Sequence, residues 1–379
     1  RVFESEGRKN MNPNQPIRDA RTLGLPKMLI LGLQHMFAMF GATILVPILV
    51  RQYGLPLSIQ TTLLMAGLGT LFFHVCSKFQ VPAFLGSSFA FLGGFATMAN
   101  LDSGMYAAMD PQDKLSYACG GIVVAGLLYL ILALVIKLAG VKKVMRFLPP
   151  VVTGPIIVCI GLTLAPSAVS NASSCWPLAL IALATMMEHI GDMSAISATT
   201  ERNFLQDPGL HRTLLGDGLA TSLSAMFGGP ANTTYGENTG VLVLSNVHDP
   251  RVIRIAACFA VILGFIPKMA EVIGSMPSAI VGGVSFILYG MISAIGVRNI
   301  VENQVDFTKS RNLIIAAVIL VCGLGFSSGL TFHVAGTSIT LTGLAIAALA
   351  GIILNAILPG NDYEFGTNPE GDQNRGIHA

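Results

Sequence analysis

The chain has 379 residues, of which 53% are hydrophobic and 11% are charged. Soluble domains carry about 25% charged residues, so this composition and the mean hydropathy of +0.68 exclude a soluble enzyme and a disordered chain. The 22 Lys and Arg residues nearly balance the 20 Asp and Glu residues, which leaves no basic surface for a nucleic acid. The composition indicates an integral membrane protein.

Long runs without a charged residue, such as 28–50 and 79–101, reach the roughly 20 residues that a membrane-spanning helix needs. These runs are apolar on all sides, which predicts an all-α polytopic membrane protein. The chain contains twelve predicted hydrophobic segments, at 28–50, 57–76, 83–100, 116–136, 147–165, 176–192, 213–229, 233–246, 252–273, 277–296, 312–327 and 338–358.

The distribution of basic residues predicts the orientation of these segments. If the N-terminus lies inside and the chain alternates sides, nineteen of the 22 Lys and Arg residues fall on the inner side. Only Arg51, Lys114 and Lys268 do not. Because cytoplasmic loops are enriched in basic residues, both polar tails, 1–27 and 359–379, are predicted to be cytoplasmic, and the protein is predicted to lie in the cytoplasmic membrane.

Two hydrophobic segments are interrupted by small and polar residues, at 84–94 and at 228–240. Irregular backbone at membrane depth is tolerated only where it lines a cavity or is buried in protein. Each is the third segment after a landmark, Gln34-His35 for the first and Glu188-His189 for the second. Such a correspondence between two halves is typical of inverted-repeat transporters, in which the interrupted segments form the binding site.

Ionisable side chains inside predicted spans are costly and are candidates for function. The candidates here are His35, Glu188, His189, Asp192 and Glu237. Glu188 and Asp192 share one helical face because they are four residues apart. Hydrogen bonding in the bundle interior is an alternative role for both histidines, and for His189 the preferred one. The spacing lacks the two-histidine pattern of a zinc site.

Five strings of sequence carry a family resemblance: QHMFAMFGATILVP at 34–47, FLGSSFAF at 84–91, EHIGD at 188–192, LLGDGLATSLSAMFGGPANTTYGENTGV at 214–241 and SAIVGGVSFILYG at 278–290. They resemble the nucleobase–ascorbate transporters, and most of all the bacterial uracil permease branch. The resemblance implies a core domain and a gate domain built from two inverted seven-span repeats. It also implies two short membrane-embedded strands, in the third and tenth spans, that meet at the substrate.

The resemblance also implies roles for individual residues. Glu188 matches a hydrogen-bond acceptor for the nucleobase, and Glu237 matches a second carboxylate that contacts the base and takes part in proton movement. His35 matches a histidine beside that second carboxylate. The implied substrate-binding residues are Glu188, Glu237, Phe89, Ser88, Gly236 and Tyr289, with the backbone of Phe89 and Gly236 at the base edge. The implied proton-coupling residues are Glu237, His35, Asp192 and Asn238.

The chain departs from the family pattern in three respects. The signature after the second carboxylate usually ends in Thr and a basic or Gly residue, and here it reads Ser245-Asn246. Asp192 stands where some uracil permeases have histidine. Between Leu162 and Cys175 only a dozen residues stand where the family has its sixth and seventh spans. The sequence therefore predicts about twelve spans instead of fourteen. The first repeat is predicted at 28–165, with family spans one to five, and the second at 176–358, with spans eight to fourteen.

The expected function is proton-coupled uptake of a nucleobase, most of all uracil. Two alternatives stay open: a xanthine or urate permease, and a truncated nucleobase-binding remnant that does not transport. A sulfate-type anion carrier ranks last because Glu188 and Glu237 would repel an anion. The expected partners are the nucleobase, protons, the lipid bilayer and a second copy in a homodimer. No cofactor is expected apart from the proton as coupling ion, and no catalytic residue.

Overall fold

The computed structural model describes residues 16–101, 106, 108–167, 177–275, 278–326, 329–334, 337–360 and 363. The fold is mainly helical, as the composition predicts. The helices are α1 Leu25–Gln52, α2 Ile59–Cys76, α3 Leu92–Ala99, α4 Pro111–Ala139, α5 Val141–Phe147, α6 Pro150–Ser167, α7 Pro177–Thr200, α8 Leu210–Met226, α9 Gly236–Ser245, α10 Pro250–Gly264, α11 Pro267–Gly274, α12 Ser278–Glu302, α13 Ser310–Gly325 and α14 Gly343–Ile357. The strands are β1 Leu85–Ser87, β2 Asn232–Thr234, β3 Leu330–Val334 and β4 Thr337–Leu341.

Within the described residues, three helices are long and apolar enough to cross a membrane, namely α1, α2 and α4. Two bent pairs meet the same criteria together: α5 with α6, at 60°, and α10 with α11, at 85°. The segment 252–273, predicted as one span, is therefore two helices. α10 ends at Gly264, and Pro267, which lacks a backbone N–H, begins the next helix. The total of twelve spans stays a prediction.

The helices form two groups that pack mostly within themselves. The first helix group contains α1 to α4 and α7 to α10, and the second contains α6 and α12 to α14. In the first group α4 and α8 approach closely at Gly126 and Gly218, where an added Cβ would lie less than 3 Å from the backbone of the other helix. Small residues allow this contact, as in many membrane proteins. The two groups meet mainly along α7, which packs against α6, α12 and α14.

The two interrupted segments each contain one short strand, and the strands pair with each other. β1 and β2 are antiparallel, with Leu85 opposite Thr234 and Ser87 opposite Asn232. The pairing extends by one residue on each side, since Ser88 N–H donates to the Ala231 carbonyl at 2.8 Å. Gly86 allows the ring of Tyr235 to pack directly against β1, because a Cβ on Gly86 would lie 2.3 Å from that ring.

A threonine hydroxyl completes the hydrogen bonding of each strand. Thr70, on α2, accepts from Leu85 N–H at 2.9 Å and lies 3.1 Å from the Leu85 carbonyl oxygen. Thr221, on α8, accepts from Asn232 N–H at 3.2 Å and donates to the Asn232 carbonyl at 2.8 Å. The same arrangement therefore occurs in both halves of the chain, between a helix and the strand that follows it.

Part of the predicted N-terminal tail 1–27 is folded. Residues 20–23 form a 3-10 helix, and Ile17 forms a parallel bridge with Val247. Asp249, which caps α10, also accepts a hydrogen bond from Ala20 N–H at 2.6 Å. Residues 16–24 therefore pack against residues about 230 positions away. The cytoplasmic location of the tail stays a prediction. Residues 1–15 and 364–379 lie outside the described residues, as does the predicted break between Ser174 and Cys175.

The last predicted segment, 338–358, also differs from a single helix. It begins with strand β4, which pairs antiparallel with β3, and α14 starts only at Gly343. The β-branched residues Thr337, Ile339 and Thr340 favour extended backbone. Thr342 then caps α14 by accepting from Ala345 N–H at 3.2 Å.

Candidate functional site

A small cavity lies where the paired strands end, beside the middle of α7. Its volume is about 20 Å³, which is room for about one water molecule. The cavity is lined by Phe89, Ile157, Glu188, Asp192, Thr234, Tyr235, Gly236, Glu237, Ile292 and Ile295. These residues come from both helix groups, so the cavity lies at the boundary between them.

Three carboxylates line this cavity. Glu188 and Asp192 are one turn apart on α7, and Glu237 lies in the first turn of α9. Asp192 accepts a hydrogen bond from Thr234 at 2.8 Å. Glu188 Oε2 is buried and has no hydrogen-bond partner among the described residues. None of the ten lining residues is basic, so nothing in the lining neutralises these carboxylates.

Two helical segments begin at the cavity. Ser88 precedes the 3-10 turn Phe89–Phe91 and α3, and Tyr235 precedes α9. Phe89 and Gly236, which the resemblance places on strands, therefore lie just beyond the strand ends, at the first residues of helical turns. The first N–H groups of a helix have no partner within it, and the helix dipole is positive there. Hydrogen-bond acceptors are favoured at both positions.

The opposite wall of the cavity is apolar and belongs to the second helix group. It consists of Ile157 on α6 with Ile292 and Ile295 on α12. A Cβ on Gly236 would lie 2.3 Å from Ile295 Cδ1, so the absence of a side chain there allows α9 to touch α12. Tyr289, also on α12, packs edge to face against Phe89, with 5.8 Å between the ring centroids.

His35 lies outside the cavity lining, on α1, and its hydrogen bond goes to Asn238 rather than to Glu237. Asn238 Nδ2 is 3.1 Å from the His35 carbonyl oxygen and 3.2 Å from His35 Nδ1. A carbonyl can only accept, so the amide nitrogen must face His35, and Nδ1 must accept as well. The proton of neutral His35 therefore sits on Nε2, which is buried and has no partner among the described residues.

Two other predicted residues, Ser88 and His189, do not line the cavity. Ser88 is fully buried and does not line the cavity. His189 faces away from it, and its Nδ1 lies 3.2 Å from Oδ2 of Asp217 on α8. Asp217 was missed by the sequence analysis, although a carboxylate inside the predicted segment 213–229 is the signal that identified Glu188.

The sequence of this chain matches a family of known proteins. The model of the Permease family, Xan_ur_permease, matches residues 26–179 and 175–332. The uracil permease of Bacillus caldolyticus is 38% identical over 433 residues, which cover 92% of this chain and 95% of that protein. The uracil permease of Bacillus subtilis (strain 168) is 36% identical over 417 residues, covering 86% and 92%.

A relative of lower identity is also named as a permease. The putative pyrimidine permease RutG of Escherichia coli (strain K12) is 32% identical over 409 residues, covering 87% of this chain and 89% of that protein. Among solved structures, the transmembrane domain of the cyanobacterial bicarbonate transporter BicA superposes with a TM-score of 0.53 at 13% identity. It covers 87% of this chain and 97% of that domain, which shows a shared membrane-transporter fold.

The family model matches most of the chain, in two segments, and the relatives span nearly the whole of it. The relatives are permeases and not enzymes. The resemblance to the nucleobase–ascorbate transporters and their uracil permease branch is confirmed: the chain is a multi-pass membrane protein that belongs to the Permease family.

Proposed function

We propose that the site of this protein serves the transport of a nucleobase, most of all uracil, across the cytoplasmic membrane together with protons, with both termini in the cytoplasm. Without the two missing gate spans, the 379-residue chain performs the binding step alone. The observation that carries the proposal is the convergence of Glu188 and Glu237 at the start of α9. The names of the relatives support the choice of substrate, since several are uracil permeases and one is a putative pyrimidine permease.

The chemistry of the cavity suits a neutral planar base. Uracil presents ring N–H donors beside carbonyl acceptors. The unpartnered Glu188 Oε2 can accept from such an N–H, and the helical turns that begin at Phe89 and Gly236 can donate to a carbonyl oxygen. The edge of Phe89 and the isoleucine wall give the ring an apolar surface. A purine has a similar edge, so a xanthine or urate permease is the second candidate.

The cavity is too small for a base in this conformation, so binding requires movement of one helix group against the other. We infer that the first helix group is the moving core and that the second is the gate. Besides the isoleucine contacts, a polar contact joins them: Arg298 on α12 donates to Thr199 at the end of α7, at 3.1 Å. Arg298 also donates a hydrogen bond to Glu302 on the same helix. Opening the cavity requires these contacts to rearrange.

The carboxylates provide the means of proton coupling. Buried carboxylates that lie close together repel one another when charged, and binding a proton relieves this repulsion. Glu237 is the carboxylate of α9. Its sequence neighbour Asn238 donates to Nδ1 of His35, which leaves the proton of neutral His35 on Nε2. We infer that Glu237 carries the coupled proton and that Asn238 and His35 form the adjoining part of its path.

The length of the chain bears on whether it transports by itself. The alignment with the Bacillus caldolyticus permease runs over 433 positions and includes 92% of the 379 residues of this chain, which is about 349 residues. At roughly 84 positions of the alignment, therefore, this chain has no residue. The chain matches the family model in two segments that overlap at residues 175–179. Both observations support the loss of two spans of the gate near residue 175.

The first test is Glu188→Gln, which keeps the shape of the side chain but replaces an acceptor oxygen with an NH₂ group. We expect a cost of about 2–4 kcal/mol in uracil binding, since a charge-assisted hydrogen bond is lost and two donors face each other. This is roughly a 30- to 700-fold weaker affinity, measured by isothermal titration. Glu271→Gln, exposed on α11, is the matched control and should bind as the unaltered protein does. Binding by Glu188→Gln within threefold of that value would overturn the assignment.

The second test separates proton coupling from binding. In the chain with the sixth and seventh family spans restored between Ser174 and Cys175, Glu237→Gln should retain part of the uracil binding but lose all dependence of uracil movement on a proton gradient, measured in proteoliposomes. His35→Leu should have the same effect if the Nε2 proton belongs to the path. If His35→Leu still concentrates uracil up an imposed proton gradient in the span-restored chain described next, the histidine only packs.

The third test addresses the missing spans. Each helix lost from the gate would leave polar groups of the core facing lipid, where an unsatisfied group costs several kcal/mol. We expect the 379-residue chain to bind uracil weakly and not to accumulate it in a permease-deficient bacterium. The same chain with the sixth and seventh spans of the Bacillus caldolyticus permease inserted between Ser174 and Cys175 should accumulate labelled uracil. Robust proton-driven uptake by the unaltered chain would mean that four gate helices suffice.

A further inference from the structure

An apolar groove runs along the outside of the first helix group, between α2 and α8. Its volume is about 620 Å³. It is bounded by Leu68, Phe72 and Val75 on α2, by Leu223 on α8 and by Phe227, the residue that follows α8. On α2 it extends from Thr61 to Val75, which is about 21 Å at the rise of an α-helix. The hydrocarbon core of a bilayer is about 30 Å thick, so the groove is longer than one leaflet is deep.

One end of this groove is basic. Arg212 lies eleven residues before Leu223 on α8, close to three full turns, and so occupies the same face. Its Nη1 donates to the carbonyl of Cys76, the last residue of α2, at 3.2 Å. Lys78 follows two residues later and is exposed. Arg212 and Lys78 therefore stand at the end of α2 at which the groove closes.

A third basic residue completes this cluster. α4 and α8 run antiparallel, since Gly126 faces Ser222 and Tyr129 faces Gly218. Lys137, in the last turn of α4, therefore lies level with the first turn of α8, which contains Arg212. All three basic residues belong to the set that the charge distribution places on the cytoplasmic side.

We propose that an anionic phospholipid occupies this surface, with its phosphate against Lys78, Lys137 and Arg212 and one acyl chain in the groove between α2 and α8. A basic cluster at the membrane surface attracts anionic headgroups, and the effect corresponds to about a fivefold change in affinity for each basic residue. The groove supplies what a free anion lacks, because an acyl chain buries apolar surface along its length. The lipid would bind the proposed core without touching the cavity or the boundary with α6 and α12.

The proposal is tested by retention of phospholipid on the purified full chain in detergent, measured by native mass spectrometry with phosphatidylglycerol and phosphatidylcholine supplied in equal amounts. We expect the unaltered protein to retain phosphatidylglycerol in preference. The variant Lys78→Gln with Arg212→Gln should lose that preference by roughly 25-fold. The control Lys27→Gln with Lys143→Gln removes two exposed basic residues elsewhere and should retain it.

Two further experiments test the apolar groove and the basic cluster separately. Leu68→Trp fills the groove and should reduce retention of phosphatidylglycerol while the basic cluster is intact. An excess of inorganic phosphate should not displace the lipid. Equal retention of the two lipids by the unaltered protein, or unchanged preference in the Lys78→Gln and Arg212→Gln variant, would overturn the proposal. Displacement by phosphate alone would also overturn it, since the cluster would then bind a free anion. Circular dichroism of each variant checks that the helices are intact.

Discussion

The structure depends on satisfying the backbone of two strands inside a bundle of apolar helices. The paired strands are only three residues long, and their pairing extends little beyond the strand ends. Unpaired N–H and C=O groups in such an interior are costly. Thr70 and Thr221 supply the missing partners on the outer edges, and Tyr235 donates to the Ser87 carbonyl at 3.0 Å. The cavity exists because these hydrogen bonds hold the strand ends, and hence the helices that follow them, against α7.

This constraint explains which parts of the structure the sequence predicted. Runs of apolar residues locate the helices, and the glycine and polar residues at 84–94 and 228–240 locate the two segments that contain β1 and β2. The carboxylates Glu188, Asp192 and Glu237 were recognised because a charge inside an apolar run is rare. The structure brings these three residues to one cavity.

What the sequence could not predict depends on contacts between distant residues or on apolar residues that resemble one another. Nothing in the pattern distinguishes Ile157 or Ile295, which line the cavity, from the isoleucines that face other helices. The hydrogen bond of His35 goes to Asn238, one residue beyond the expected carboxylate, because the first turn of α9 sets which side chain faces α1. The fold of residues 16–24 depends on α10 and its cap Asp249, which lie more than 200 residues away.

The central claim is that the carboxylates and the strand ends recognise a neutral pyrimidine base. The most direct measurement is isothermal titration of the purified 379-residue protein with uracil, thymine, xanthine, urate and uridine. We predict measurable binding of uracil and weaker binding of the purines, which need a larger cavity than the pyrimidine does. Absence of binding for every base, or tighter binding of xanthine or urate than of uracil, would contradict it.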